Sequence, residues 1–464
     1  MNKVFPLLIL LLVVVSAAMG GLYLLSRPQP PPWTSDSRQA LEAFEQGLEA
    51  LKKRYLSEAH EHFERAVELD PDFAMAHLFL ARHWRQRASA ERLRAVDASR
   101  LTPREALFIR YYLAHADGEH DEAEAMLARY LESHPDDPFA LSVACDASWL
   151  RLDWDEAERC YQHLLERHPN WVEAQNRLGY LAMARGRFDE AEERFQSYVY
   201  IAPDQANPHD SLGELYMLLG RYDEAEEAFR EALARRSDFC PSLQHLMELM
   251  IFAGEIDRAR QALADLEAEE ACRDVLKGGL RCHAEVLLSY AAGDFEGGWQ
   301  RVESCSERLY RSVLPHRLAL LTGRREDAFE LEERLRAGVA QEADLPPREH
   351  QWHQAALFHV EASRLLADGR PAAAAELFAR ADELSTYWGD SQWAFKLYNR
   401  LGWLTALELA GRAQEAKALR RKIAAINPRF ASVFHAGQET LAELARQAMA
   451  RSDGDSAESA PRPQ

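Results

Sequence analysis

Six cysteines and seventeen histidines are the residues of this 464-residue chain with the most chemistry open to them. Cys145, Cys160, Cys240, Cys272, Cys282 and Cys305 contain no CxxC pair, so their spacing supports neither a zinc ribbon, a thioredoxin-type dithiol nor covalent haem attachment. In an oxidising compartment a disulfide within Cys272, Cys282 and Cys305 is open to the chain. The densest histidine group is Glu349, His350, His353, His359 and Glu361. On a helix His350 and His353 are neighbours, whereas His359 lies nine residues from His350, about half a turn around the axis. Surface or packing histidines are therefore expected there, not a metal site. No HExxH motif, phosphate-binding glycine loop, GxSxG elbow or dinucleotide fingerprint occurs. The sequence thus implies no catalytic residues, no metal and no cofactor, and an enzyme would need a site that these motifs do not describe.

Function then has to come from the elements that would position a surface. Ala123, Ala157, Ala191, Ala225 and Ala259 recur every 34 residues, and Pro135, Pro169 and Pro203 keep the same step. That period suits an antiparallel helix pair stacked on copies of itself. The clearest copy begins at Val172, with Leu178 and Gly179 in its first helix, Gly186 and Phe188 at its turn, and Ala191 and Phe195 in its second. The next supplies Leu212, Gly213, Tyr216, Gly220, Tyr222, Ala225, Phe229 and Ala232. These residues resemble the tetratricopeptide repeat, whose small residues sit where its two helices touch. Cys145 falls in the small-residue slot of Gly179 and Gly213, which gives it a packing role.

The same register gives Ala59, Phe63, Ala66 and Pro71 upstream, but the step from Ala59 to Ala123 is 64, four short of two repeats. The unit between about 74 and 103 is therefore irregular, with Thr102, Pro103 and Glu105 marking a helix start. Downstream, turn glycines with a small residue five positions on recur at Gly293/Gly298, Gly323/Ala328, Gly369/Ala374 and Gly411/Ala416, and Pro428 closes the series. About eleven units fit between residues 38 and 428. The resemblance implies an all-α fold, a right-handed superhelical solenoid of tetratricopeptide helix pairs preceded by one transmembrane helix. Regular repeats are expected over 38–271, degenerate ones over 272–428 as a possible second subdomain, a capping helix over 429–451 and a disordered tail over 452–464. Asp344 to Pro347 is a candidate hinge or a plain interhelical loop.

The resemblance also implies a concave groove lined by first helices, in which members of the family hold a peptide or a partner helix. Carried over onto this sequence, the groove positions are Tyr112; Asp146 and Trp149; Asn176, Tyr180 and Met183; Asn207, Asp210, Glu214 and Met217; and Glu248. Members that clamp a terminal carboxylate present lysine and arginine at these places, and this chain presents neither. Aromatic and acidic side chains suit instead a protein or peptide segment with apolar anchors and some positive charge.

Val4 to Leu25 gives 22 residues without a charge, enough to cross a bilayer as one helix after a tail of residues 1–3. It reads as an uncleaved signal anchor, with a cleaved signal peptide as the alternative. Ser16/Gly20 and Ala17/Gly21 either let two anchors pack into a homo-oligomer or are small residues that serve processing or simply occur there. Residues 26–37, with Pro28, Pro30, Pro31 and Pro32, form a stiff spacer. A net charge of −20 argues against nucleic acid as a partner. The combined expectation is a single-pass, membrane-tethered scaffold whose repeats face a periplasmic or other extracytoplasmic space and hold partners of an envelope assembly. A cytoplasm-facing regulatory module is the alternative.

Overall fold

The computed structural model describes residues 33–272, 279–305, 313–341, 347–387 and 392–458, and the regular structure within them is helical. The anchor expected at Val4 to Leu25, most of the proline spacer, residues 344–346 of the candidate hinge and the last residues of the tail lie outside the described residues. Among the described residues no helix is long and apolar enough to cross a membrane. The chain forms two compact units, one from residues up to Ala50 together with Glu58–Met126, the other from Leu51–Ser57 together with Leu127 onward.

The first unit contains α1 (Arg38–Lys52), α2 (Leu56–Leu69), α3 (Ala74–Trp84), α4 (Arg87–Arg94), α5 (Pro103–Ala116) and the start of α6 (His120–Ser133). Its core gathers on Phe44, whose ring lies 4.9 Å from Phe73, 5.4 Å from Phe63, 5.5 Å from Phe79 and 5.6 Å from Trp33. Tilted and edge-on arrangements of this kind match the charge distribution of aromatic rings. The irregular unit has a simple form: its second helix, α4, has only eight residues. At the head of α5, Thr102 and Glu105 close a capping box and Pro103 fills the first turn. Glu105 is wholly buried and does more than cap, because its carboxylate also accepts from the Thr34 main-chain N at 2.5 Å and the Thr34 hydroxyl at 2.8 Å. The spacer expected to run to residue 37 is thus docked from Trp33, which is buried beneath Arg104.

The second unit stacks helix pairs: α7 (Pro138–Leu150) with α8 (Trp154–Arg167), α9 (Val172–Ala184) with α10 (Phe188–Ile201), α11 (Ala206–Leu218) with α12 (Tyr222–Arg235), and α13 (Cys240–Phe252) with α14 (Ile256–Ala268). Gly186, Gly220 and Gly254 turn between paired helices at φ between +71° and +78°, and Leu152 takes that place after α7 at +62°. Ala157, Ala191, Ala225 and Ala259 are fully buried. Helices touch closely because one partner is glycine: a Cβ on Gly179 would stand 2.5 Å from the Phe195 ring, and one on Gly213 would stand 2.6 Å from Phe229.

The same pairing continues through α15 (Arg281–Ala291) and α16 (Phe295–Ser304), α17 (Val313–Leu321) and α18 (Arg325–Gln341), α19 (Pro347–Ala367) and α20 (Pro371–Leu384), and α21 (Gln392–Leu409) and α22 (Ala413–Ile426), with left-handed turn glycines at 293, 323, 369 and 411. Apart from a small cluster of Leu335, Val339, Ala356, Leu357 and Val360, these later repeats share their core with the regular array. One apolar cluster joins Ala182 through Ala445, because the chain returns to the regular array: Phe252 meets Trp393 at 5.1 Å and Phe430 at 5.7 Å, and Phe188 meets Tyr387 at 5.3 Å. After α23 (Phe430–Val433), helix α24 (His435–Glu458) packs against α17, α19 and α21. All three are first helices, so α24 lies along the inner face of several repeats instead of over the end of the last one. Its helical run continues past Arg451 to Glu458, with no proline to stop it before Pro461.

Candidate partner-binding surface

Asp146, Tyr180, Glu214 and Glu248 occupy one register on α7, α9, α11 and α13, each 34 residues from the last. The stacking of pairs brings that register into a polar ladder. Tyr180 donates its hydroxyl to Glu214 at 2.8 Å and lies 3.2 Å from the Ser211 hydroxyl. One oxygen of Asp210 accepts from Ser242 at 2.7 Å and pairs with His245 Nδ1 at 3.0 Å. Asp146 accepts from Tyr161 at 2.6 Å and faces Arg177 at 3.3 Å. Gln244 donates to Glu248 at 2.9 Å, and Asn207 donates to Tyr198 at 3.2 Å.

Burial alone would push the His245 imidazole down, but Asp210, with Glu214 and Glu248 behind it, raises it to about 10, so it is a cation here. Burial, followed by the charges of Glu214 and Asp210, lifts the Tyr180 phenol well above its ordinary range. Burial and Asp146 do the same to Tyr161. The ladder is thus partly self-neutralised, acid against imidazolium at α11 and α13 and acid against guanidinium at α7 and α9.

This geometry changes which groove positions are open. Trp149, Met183, Asn207, Asp210, Glu214, Met217 and Glu248 are buried, whereas Tyr112, Asp146, Asn176 and Tyr180 keep partial exposure. Tyr112 stands on α5 in the first unit and the other ten belong to the second. Return of the chain accounts for much of the difference, since Met183 and Met217 share their apolar cluster with Tyr387, Trp393 and Phe430. Arg177 and His245 complete the site, one position beyond the groove slot Asn176 and beyond Gln244, which shares its register two repeats on. Their common register with Ser211 is visible as a 34-residue step, but the three residue types differ.

All six cysteines are bonded, as Cys145–Cys160, Cys240–Cys272 and Cys282–Cys305. Each bridge ties the two helices of one pair, α7 to α8, α13 to the turn after α14, and α15 to the end of α16. Cys145 occupies its packing slot fully buried and is also covalently held. Cys272 finds Cys240, while Cys282 and Cys305 join within the expected trio. In the histidine group, His353 and His359 are buried in α19, and His359 Nδ1 pairs with Asn399 Oδ1 at 3.0 Å. Among the described residues no three histidine, cysteine or acidic side chains are placed to hold a metal ion.

Family models of the tetratricopeptide repeat match residues 44–91 and 172–238. No curated protein matches the chain. Several solved structures are similar to it. The APC/C hetero-tetramer Cut9-Hcn1 matches over 94% of this chain and 82% of that one, at 17% identity and a TM-score of 0.48. A tetratricopeptide repeat protein from Parabacteroides merdae matches over 56% and 98%, at 15% identity and 0.40. PilW, a type IV pilus biogenesis factor, matches over 51% and 93%, at 19% identity and 0.30. Helix pairs with left-handed turns, small residues at their contacts and the two matched segments together establish that this chain carries tetratricopeptide repeats in an all-α repeat architecture.

Proposed function

We propose that this chain is a non-enzymatic scaffold of an extracytoplasmic compartment, held to the membrane by Val4 to Leu25 and binding protein partners of an envelope assembly through its repeats. The observation that carries this reading is the pairing of every cysteine. Structural disulfides persist in oxidising spaces and are rare where thiols are kept reduced. Three of them, each closing one helix pair, suit an exported array.

The partner surface is narrower than the full groove. Its open portion in the second unit is the α7–α9 face, where Asp146, Asn176 and Tyr180 are partly exposed. A segment with an apolar anchor and a positive charge would lie against Tyr180 and compete with Arg177 for Asp146. The buried acids Asp210, Glu214 and Glu248 would serve the ladder that holds this face in shape.

Two measurements test the reading. Alkylation of thiols in intact cells before and after reduction should reveal six protected cysteines; free thiols in the native protein would place the array in a reducing space and favour a cytoplasm-facing module. A photo-crosslinker at Asn176 should capture a defined protein, and a crosslinker at an exposed position on the outer helices, such as Glu193, should not. Equal capture at both sites would remove the groove as the binding surface.

A further inference from the structure

Arg317 is wholly buried in α17 and makes no ion pair with an acid among the described residues. Its Nη2 donates to the Ser363 hydroxyl at 3.1 Å and lies 3.5 Å from His359 Nε2, and its guanidinium carbon stands 5.2 Å from the centre of the Tyr398 ring. Its Nε and Nη1 have no hydrogen-bond partner among the described residues. Beside it His316 is equally buried, and neither of its ring nitrogens is bonded. On α24, buried Gln438 has both ends of its amide unmatched, next to Gly437, whose α-carbon lies against the Tyr290 hydroxyl.

The neighbours that do bond Arg317 are arranged to receive a cation and not to neutralise it. Asn399 donates its Nδ2 to the Phe378 carbonyl at 2.9 Å, which leaves its Oδ1 to accept from His359 Nδ1–H. That fixes the His359 tautomer with the Nε2 lone pair turned to Arg317. Ser363 donates to the His359 carbonyl at 2.8 Å and so also presents a lone pair to Arg317. Both histidines stay neutral: burial first, then Arg317, pushes His316 down to about 3 and His359 well below its ordinary value. The nearby cation Arg364 has its own acid, Glu332, at 2.7 Å. A buried guanidinium with free N–H groups and only neutral neighbours is among the least favourable states a core can hold, and buried charges are ordinarily paired.

We propose that the interior of the second unit binds a small oxyanion, a carboxylate or a phosphate, on the free N–H groups of Arg317 with His316 as a neutral donor. Its printed surroundings, His359 and Ser363 on α19 and Tyr398 on α21, together with the burial of Arg317 and His316, select a compact ligand. The anion would tie α17 to α19 and α21, so the site is a structural one within the core and is independent of the partner surface on α7 and α9.

The full chain, purified in chloride without phosphate or carboxylate buffers, supplies the test. Thermal unfolding is followed with inorganic phosphate, and separately with acetate, replacing chloride at constant ionic strength. A saturable rise of about 3 °C or more with one of the two is expected, and which one answers identifies the oxyanion. Arg317→Met should abolish that rise. Anion chromatography of heat-denatured wild-type protein is the companion measurement and needs no variant to fold; about one equivalent of an oxyanion per chain is expected where the ligand is carried through purification. Identical melting in chloride, phosphate and acetate with no oxyanion released would overturn the proposal, as would an undiminished phosphate response in a folded Arg317→Met protein.

Discussion

Asn427 donates its side-chain Nδ2 to the main-chain carbonyl of Met217 across 3.3 Å, joining the end of α22 to the last turn of α11. Its Oδ1 accepts from the main-chain N of Arg429 and Phe430 at 3.1 and 3.0 Å, and the Tyr222 hydroxyl lies within 3.3 Å of its Nδ2. One buried amide therefore serves both ends of the contact through which the late repeats return to the regular array. Replacing it with alanine leaves those main-chain groups unmatched. Asn427→Ala should cost about 1–3 kcal/mol in urea unfolding and should open the Asn427–Phe434 segment to limited proteolysis. A protease pattern unchanged from wild type would show that the apolar contacts alone hold the closure.

Gly220 lies directly beneath that amide. Its φ of +71° already disfavours a side chain, and a Cβ there would come 2.5 Å from Asn427 Oδ1. Gly220→Ala should destabilise by about 1–3 kcal/mol, whereas the same change at Gly254, which has a similar φ and open space around it, should cost only the backbone term, about 1 kcal/mol. Equal losses at the two positions would mean that Asn427 moves aside freely.

Reduction of the three disulfides gives a third expectation. The bridged residues are separated by 15, 32 and 23 positions, loop lengths at which a bridge contributes about 3 kcal/mol each. Melting in a phosphine reductant should fall clearly below melting without it, and the paired variant Cys240→Ala with Cys272→Ala should reproduce part of the drop. A reductant-insensitive melt would argue that the bridges are dispensable to the fold.

The pairing of His245 with Asp210 carries a pH dependence. Its folded pKa of about 10 lies above the ordinary imidazole value, so the native state keeps a proton that the unfolded chain releases. The stabilisation is complete below about pH 6.5 and is lost as pH rises toward about 10. Unfolding in urea across that window should show stability declining with pH, and Asp210→Asn should flatten the decline while costing about 3–5 kcal/mol at neutral pH. Parallel pH curves for the two proteins would refute the coupling.

Much of this architecture was legible in local residues. Turn glycines and the alanines that follow them mark each pair, because a left-handed turn and a tight helix contact are requirements of the backbone, and Gly179 against Phe195 meets the second of them. The candidate site was legible only in part. Asp146 and Tyr180 stand where the repeat register puts them, but the burial of Asp210 and Glu214 depends on how distant parts of the chain close over one another, which leaves no periodic trace. Cys240 and Cys272 escaped notice as a pair for a similar reason: pairing across two helices depends on which faces meet, and only Cys145 fell on a position that the repeat defines. Arg317 reads as one more surface cation until α19 and α21 bring His359, Ser363 and Tyr398 around it.

The bond between Thr34 and Glu105 decides where the first unit is loaded. A pull on the chain before Trp33 reaches the carboxylate at the head of α5 before it reaches α1, and it meets two hydrogen bonds there in parallel. Trp33, seated against Phe44, shares that load, so force enters the aromatic core and the head of α5 together. The reach of whatever precedes Trp33 is measured from that point.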